Sequence, residues 1–341
     1  MAQPFDAEAL TLTGEMVPIA AQVPNGGNIG FGAFSVSASG VLVYRTGGAA
    51  ANRALVWMDR AGKRLGTVAK PGAFMGAPRL SPDDTTVAVR INSGAQIDIW
   101  LQDLRRDVST RFTFRTGINT RPVWAPDGIR LVFALQDLSA YSSDLYQKSS
   151  AGNGQEELLL RGGVNATPLD WSPDGKWILY QQTGQNAGID LWLLPLDGDR
   201  KPVLYLQTPF NERAGAFSPD GRWIAYVSNE SGQFQIYVQA IPANGAKYQI
   251  SNAGGTQPRW RRDGKELFYV STDRQVMAVP MALGARVEAG TPQALFPAVG
   301  LTGYGPARDG QRFLVNVPAG AEGAAAPPIT VVLNWTAGLK P

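Results

Sequence analysis

Short apolar runs alternate along this chain with turns rich in Gly, Pro and Asp. Thr86-Val87-Ala88-Val89, Leu131-Val132-Phe133, Trp177-Ile178-Leu179-Tyr180, Trp223-Ile224-Ala225-Tyr226 and Leu267-Phe268-Tyr269 are almost continuously apolar and dominated by β-branched and aromatic residues. Runs this short, bounded by turn residues, predict strands covered on both faces rather than helices. Each follows a strand that ends in a large side chain: Leu80, Trp124, Trp171, Phe217 or Trp260. A third strand recurs as Leu55-Val56-Trp57, Asp98-Ile99-Trp100, Asp144-Leu145-Tyr146, Asp190-Leu191-Trp192, Gln235-Ile236-Tyr237 and Val276-Met277-Ala278. The fourth is more polar, as an outer edge should be: Thr110–Phe114, Val203–Leu206 and Tyr248–Ser251.

The turn between the first two strands repeats. Ser81-Pro82-Asp83-Asp84, Ala125-Pro126-Asp127-Gly128, Ser172-Pro173-Asp174-Gly175 and Ser218-Pro219-Asp220-Gly221 are the fullest copies. Arg262-Asp263-Gly264 and Arg308-Asp309-Gly310 keep the Asp-Gly, and Ser37-Ala38-Ser39-Gly40 keeps only the frame. Pro presets φ, Asp can bond its own backbone two residues on, and Gly accepts positive φ. From Ser39 to Asp309 the steps are 44, 44, 47, 46, 43 and 46 residues. A period in the forties with one such turn per copy predicts an all-β, seven-bladed β-propeller of four-stranded antiparallel blades, with six blades as the fallback. Too few residues follow Trp335 for a fourth strand after Ile329–Leu333. Residues 1–22, with the strand-like Glu15–Ala20, are therefore expected to supply the missing strand and close the ring. Residues 318–328, rich in Ala, Gly and Pro, read as a flexible insert in the last blade.

The repeat spans the 341 residues end to end, so a single domain is expected. No apolar window approaches the length of a membrane span, and the first residues lack the basic and apolar regions of a signal peptide. The chain has no Cys and no His, which excludes disulfides, thiolate or imidazole metal sites, and Ser-His or Cys-His catalysis. No metal and no cofactor is expected. Thirty-one basic residues against 28 acidic give a net charge of only +3, which is no argument for nucleic acid.

The turn-plus-strand pattern resembles the TolB-like propeller repeat, a bacterial relative of the WD repeat. Phe34–Gly40, Leu55–Arg60, Phe217–Tyr226, Ser228–Gly232, Gly254–Tyr269 and Ile329–Trp335 are similar to the C-terminal propeller that follows a serine/threonine kinase domain in many bacteria. The resemblance implies an extracytoplasmic sensing or interaction module; with His and Cys missing as well, a monomer that is not an enzyme and binds a protein, peptide or small polar ligand is expected. No kinase motif is present: there is no Gly-rich loop with its strand Lys and no Asp-Phe-Gly.

The repeated Asp residues are read as caps of their own turns. The informative polar residues are those that break the repeat at strand starts facing the central channel: Arg79, Arg121, Asp170, Glu212, Arg213, Gln257 and Arg259. Gathered at one mouth, they would form a polar, partly basic funnel for an anionic or peptide ligand. Asn229 and Glu230, before Gly232, are a tight hairpin that could double as a recognition loop. Trp260 sits at a core position inside the basic run Arg259–Arg262, so it is not free to stack on bases. The alternative readings are a carboxylate-dependent glycoside hydrolase or lyase, the gating propeller of a larger hydrolase, or a scaffold for partner proteins.

Overall fold

The computed structural model describes residues 2–19, 25–26, 31–32, 34–37, 39–45, 52–94, 96–137, 142–152, 154–163, 165–184, 188–243, 245–319 and 329–338. The sequence is all-β as expected, its described residues holding a single 3-10 turn, Trp335–Gly338, and otherwise strands. The chain divides into two compact units, residues 53–318 and residues 1–52 with 319–341.

Within 53–318, antiparallel strands follow the chain in successive sheets. Phe74–Leu80, Thr86–Asn92, Ile97–Asp103 and Val108–Arg111 form one set, and Ile118–Trp124, Arg130–Asp137, Ser142–Ser149 and Glu157–Leu160 the next, the two joined into one eight-stranded sheet by the parallel pairing of Ile97 with Ile118. Thr167–Trp171 begins the third and Arg213–Phe217 the fourth. The fifth runs Thr256–Trp260, Glu266–Val270, Gln275–Leu283, Gln293–Pro297, with Val287–Ala289 on the long third strand. The sixth joins distant parts of the chain: Gly303–Pro306, Arg312–Pro318, Arg53–Asp59 and Arg64–Thr67. The apolar runs pack between neighbouring sheets; Val132, Leu145, Trp171, Ile178 and Tyr180 share one such layer. Phe313 is fully buried in another, meeting Phe268 edge-on at 5.0 Å, Phe296 at 5.4 Å and Tyr304 at 6.3 Å.

First strands approach one another closely. A Cβ on Gly303 would lie 2.4 Å from the Cβ of Ala77, so only glycine fits there. Most first strands also carry a bulge, with the ladder interrupted between Thr120 and Val123, Arg213 and Ala216, and Thr256 and Arg259. At these bulges Arg121, Ala214 and Gln257 take left-handed φ of 54°, 55° and 56°. A bulge re-aims the side chain it carries.

The ends of the chain depart from the expectation. Seven four-stranded blades were expected, with six as the fallback; the unit 53–318 holds six antiparallel strand sets, the first two joined in one sheet, and the seventh turn copy, at Ser37 and Gly40, links Phe34–Val36 to Val41–Arg45 in the other unit. In the described part of the expected closing segment, residues 2–19, Phe5–Asp6 pairs with Thr11–Leu12 and Ala2 bridges to Val17, while residues 20–22 lie outside the described residues. Arg53–Asp59 pairs with Arg312–Pro318, where Ile329–Leu333 was expected as the third strand, in an unbroken register from Arg312↔Asp59 to Pro318↔Arg53. Physical causes are visible at both ends of this strand. Arg53 donates to Asn316 Oδ1 at 2.8 Å and to the Gly300 carbonyl at 2.7 Å, and Arg60 pairs with Glu266 at 2.7 Å. In the N-terminal segment Pro18 has no N–H to give to a ladder. Ile329–Leu333, assigned to the last copy, pairs instead with Val41–Arg45. Residues 320–328 of the expected insert lie outside the described residues.

Candidate functional site

The turns fold as their chemistry dictates. Asp83, Asp174 and Asp220 each accept a 2.6 Å bond from the serine two residues earlier, Ser81, Ser172 and Ser218, and another from the backbone N–H two residues on. Asp127, Asp263 and Asp309 accept from the amides of Ile129, Lys265 and Gln311. These carboxylates cap turns and form no array for chemistry.

A cavity of about 430 Å³ lies where the first strands run into these turns. Pro82, Pro126, Pro173, Pro219, Arg262 and Arg308, the residues just before the turn Asp in all six sheets, contribute to its lining. Arg79, Asp170 and Arg259 line it from the strands. Asp170 Oδ2 accepts from the Phe217 amide at 2.8 Å and Oδ1 from its neighbour Trp171 at 3.0 Å. Burial pushes its carboxyl above the usual range, and Arg79 opposes that shift. Burial and repulsion from Arg259 hold the Arg79 guanidinium well below its ordinary value, and burial lowers Arg259 as well. Arg79 reaches the Leu169 carbonyl at 3.2 Å and Arg259 the Pro258 carbonyl at 2.9 Å, while Arg259 Nε has no partner. Trp124 Nε1 donates to the Arg79 carbonyl at 2.8 Å, fixing that strand against the next sheet.

The remaining candidates separate from these three. The pKa of Arg121, on its bulge, is lowered by burial and then by Arg259 and Arg213. Arg90, absent from the sequence reading, joins them: it donates to Thr120 Oγ1 at 2.6 Å, and burial with repulsion from Arg121 brings it down to about 10. Arg213 stacks over the Phe234 ring at 3.8 Å. Gln257 lines a second cavity with Phe234, Thr256 and Arg274 at the opposite ends of the first strands, and its carbonyl accepts from Tyr304 Oη at 2.9 Å. Glu212 is fully buried, accepting from Thr208 at 2.6 Å and Ser228 at 3.2 Å, with its carboxyl raised by burial. The hairpin pair is spoken for locally. Asn229 Oδ1 accepts from the Asn211 amide at 2.8 Å, and Glu230 binds Lys247 at 2.7 Å. Gly232 takes φ of 90° in that hairpin.

Arg262 and Arg308 were legible only as degenerate turns. The available signal was that two of six turns exchange Pro for Arg at one position. Among the described residues no cluster of acidic side chains fit to hold a metal is present, and no helix is long and apolar enough to cross a membrane.

Comparison with known proteins agrees with this architecture. Residues 50–213 match the model of the TolB beta propeller domain. A stretch of 121 residues is 32% identical to the uncharacterized peptidase YuxL of Bacillus subtilis (strain 168), covering 33% of this chain and only 18% of that protein. Among solved structures, a protein assigned as TolB from Agrobacterium tumefaciens superposes with a TM-score of 0.62 at 20% identity, over 79% of this chain and 99% of its own. TolB from Acinetobacter baumannii gives 0.55 at 18% identity, over 81% of this chain and 65% of its own. The strands, their turns and these likenesses together establish a TolB-type β-propeller fold.

Proposed function

We propose that residues 53–318 form a six-bladed propeller, closed by the pairing of Arg312–Pro318 with Arg53–Asp59, and that it is a non-catalytic binding module whose ligand enters at the turn end. The observation that carries this reading is the cavity in which Arg79, Arg259 and Asp170, from three different sheets, meet inside a rim of turns. Side chains so far apart in sequence converge only because the sheets bring them there, and convergent polar groups in a concave site are the usual mark of ligand binding. The partner is a protein, a peptide or a small polar molecule. The resemblance to kinase-linked propellers read from the sequence supports an extracytoplasmic, sensory role.

A second reading, the gating propeller of a larger hydrolase, draws support from the similarity to a peptidase over part of this chain. Thermal shift of the purified protein against peptides, oligosaccharides and nucleotides separates the readings when combined with Trp124→Ala. Binding without turnover that the variant weakens supports the module. Turnover of a substrate that is lost in Asp170→Asn or Glu212→Gln would sink it.

A further inference from the structure

In four turns the residue before the capping Asp is Pro; in two adjacent sheets it is Arg262 and Arg308. All six face the same cavity. Giving up Pro forgoes the conformational restriction it supplies, and here the exchange puts two exposed guanidinium groups side by side on one arc of the rim. Arg308 depresses the pKa of Arg262, second only to burial, so the two charges lie within reach of one another. Neither makes an ion pair among the described residues. Asp84, which lines the same cavity, is held by the Arg308 backbone N–H at 2.9 Å. Beneath them, Arg79 and Arg259 are half-buried, with main-chain carbonyls as their only hydrogen-bond acceptors among the described residues, and Arg259 Nε is unpaired there. Four guanidinium groups thus face one cavity against Asp84 and Asp170 alone. Planar, multi-donor guanidinium is suited to bidentate recognition of carboxylate and phosphate.

We propose that this cavity is a site for a ligand with at least two oxyanion groups, phosphate or carboxylate, one clamped between Arg262 and Arg308 at the rim and another reached by Arg79 and Arg259 below. The assignment rests on the reading of this mouth as the ligand site and gives that site its chemical class. The ligand is either a free polyanionic metabolite or the anionic segment of a larger chain.

Isothermal titration at constant ionic strength with inorganic pyrophosphate, inorganic phosphate and a doubly phosphorylated peptide provides the test. Saturable binding of pyrophosphate or of the peptide is expected, with phosphate weaker, and a loss of at least tenfold in R262Q and in R308Q. R222Q removes an arginine already paired with Asp220 outside the cavity and should leave affinity unchanged. Because Arg262 and Arg308 are exposed, their replacement does not endanger folding. Tighter binding of the peptide than of pyrophosphate points to a macromolecular source, and the reverse order to a free metabolite. Equal affinity in R262Q, R308Q and R222Q would overturn the assignment. Response to a neutral peptide, lost in Trp124→Ala, with none to any anion, would overturn it while leaving the mouth as the ligand site. Silence toward every ligand class would overturn both.

Discussion

Each turn aspartate is a small electrostatic device whose sign can be worked out. The Ser81 hydroxyl, with Thr85 assisting, holds the Asp83 carboxyl at about 2, below its ordinary 3.8. A depressed carboxylate stabilises the fold above its unfolded pKa, and that contribution disappears as pH falls through the folded value. Melting temperature should therefore fall between about pH 4 and pH 2, and Asp83→Asn should flatten that part of the profile. An unaltered profile in the variant would mean that other carboxylates govern acid unfolding. Arg121 offers the opposite case, a residue held in a costly conformation. At φ of 54° an L side chain is strained, whereas glycine is not, so Arg121→Gly should be more stable than Arg121→Ala by about 1 kcal/mol in denaturant melts. Equal stability would show that the bulge relaxes once the guanidinium is gone.

At the level of strands and sheets, close approach matters more than composition. Gly303→Ala must push the first strand of the sixth sheet away from Ala77, and a loss of about 1–3 kcal/mol is expected from such overpacking. Phe313→Ala removes the ring on which Phe268, Phe296 and Tyr304 converge and should cost about 3–5 kcal/mol. Both are read by the midpoint of chemical unfolding, and an unchanged midpoint in either would contradict the packing described. These features were only partly legible beforehand. The turns and the strands around them were readable because their causes are local: Pro, Asp and Gly act within four residues. Arg79, Asp170 and Arg259 could be picked out because they break a repeat at strand positions. Glu212, Asn229 and Glu230 were singled out too, yet Thr208, Asn211 and Lys247 engage them locally. No periodicity reveals that. Which third strand pairs with which second strand at the chain ends was not legible either. Leu55-Val56-Trp57 and Ile329–Leu333 are both short apolar runs, and the choice falls to Arg53 and Arg60 and their partners hundreds of residues away.

For the whole molecule, the charge that matters is local rather than net. A chain with a net charge of +3 concentrates Arg79, Arg259, Arg262 and Arg308 at one cavity and Arg90 and Arg121 close by, where a field of one sign can draw in an anion and lose strength with added salt. The sixth sheet has a different kind of consequence. Arg53 and Pro318 are paired residues on adjacent antiparallel strands, so a two-residue hairpin could join them and turn the unit into a covalent loop without a preferred starting point. A permuted chain that makes this join and begins instead within Asn229–Gly232 is expected to melt like the parent unit and to keep its anion affinity. Such a protein would have all four strands of the sixth sheet contiguous.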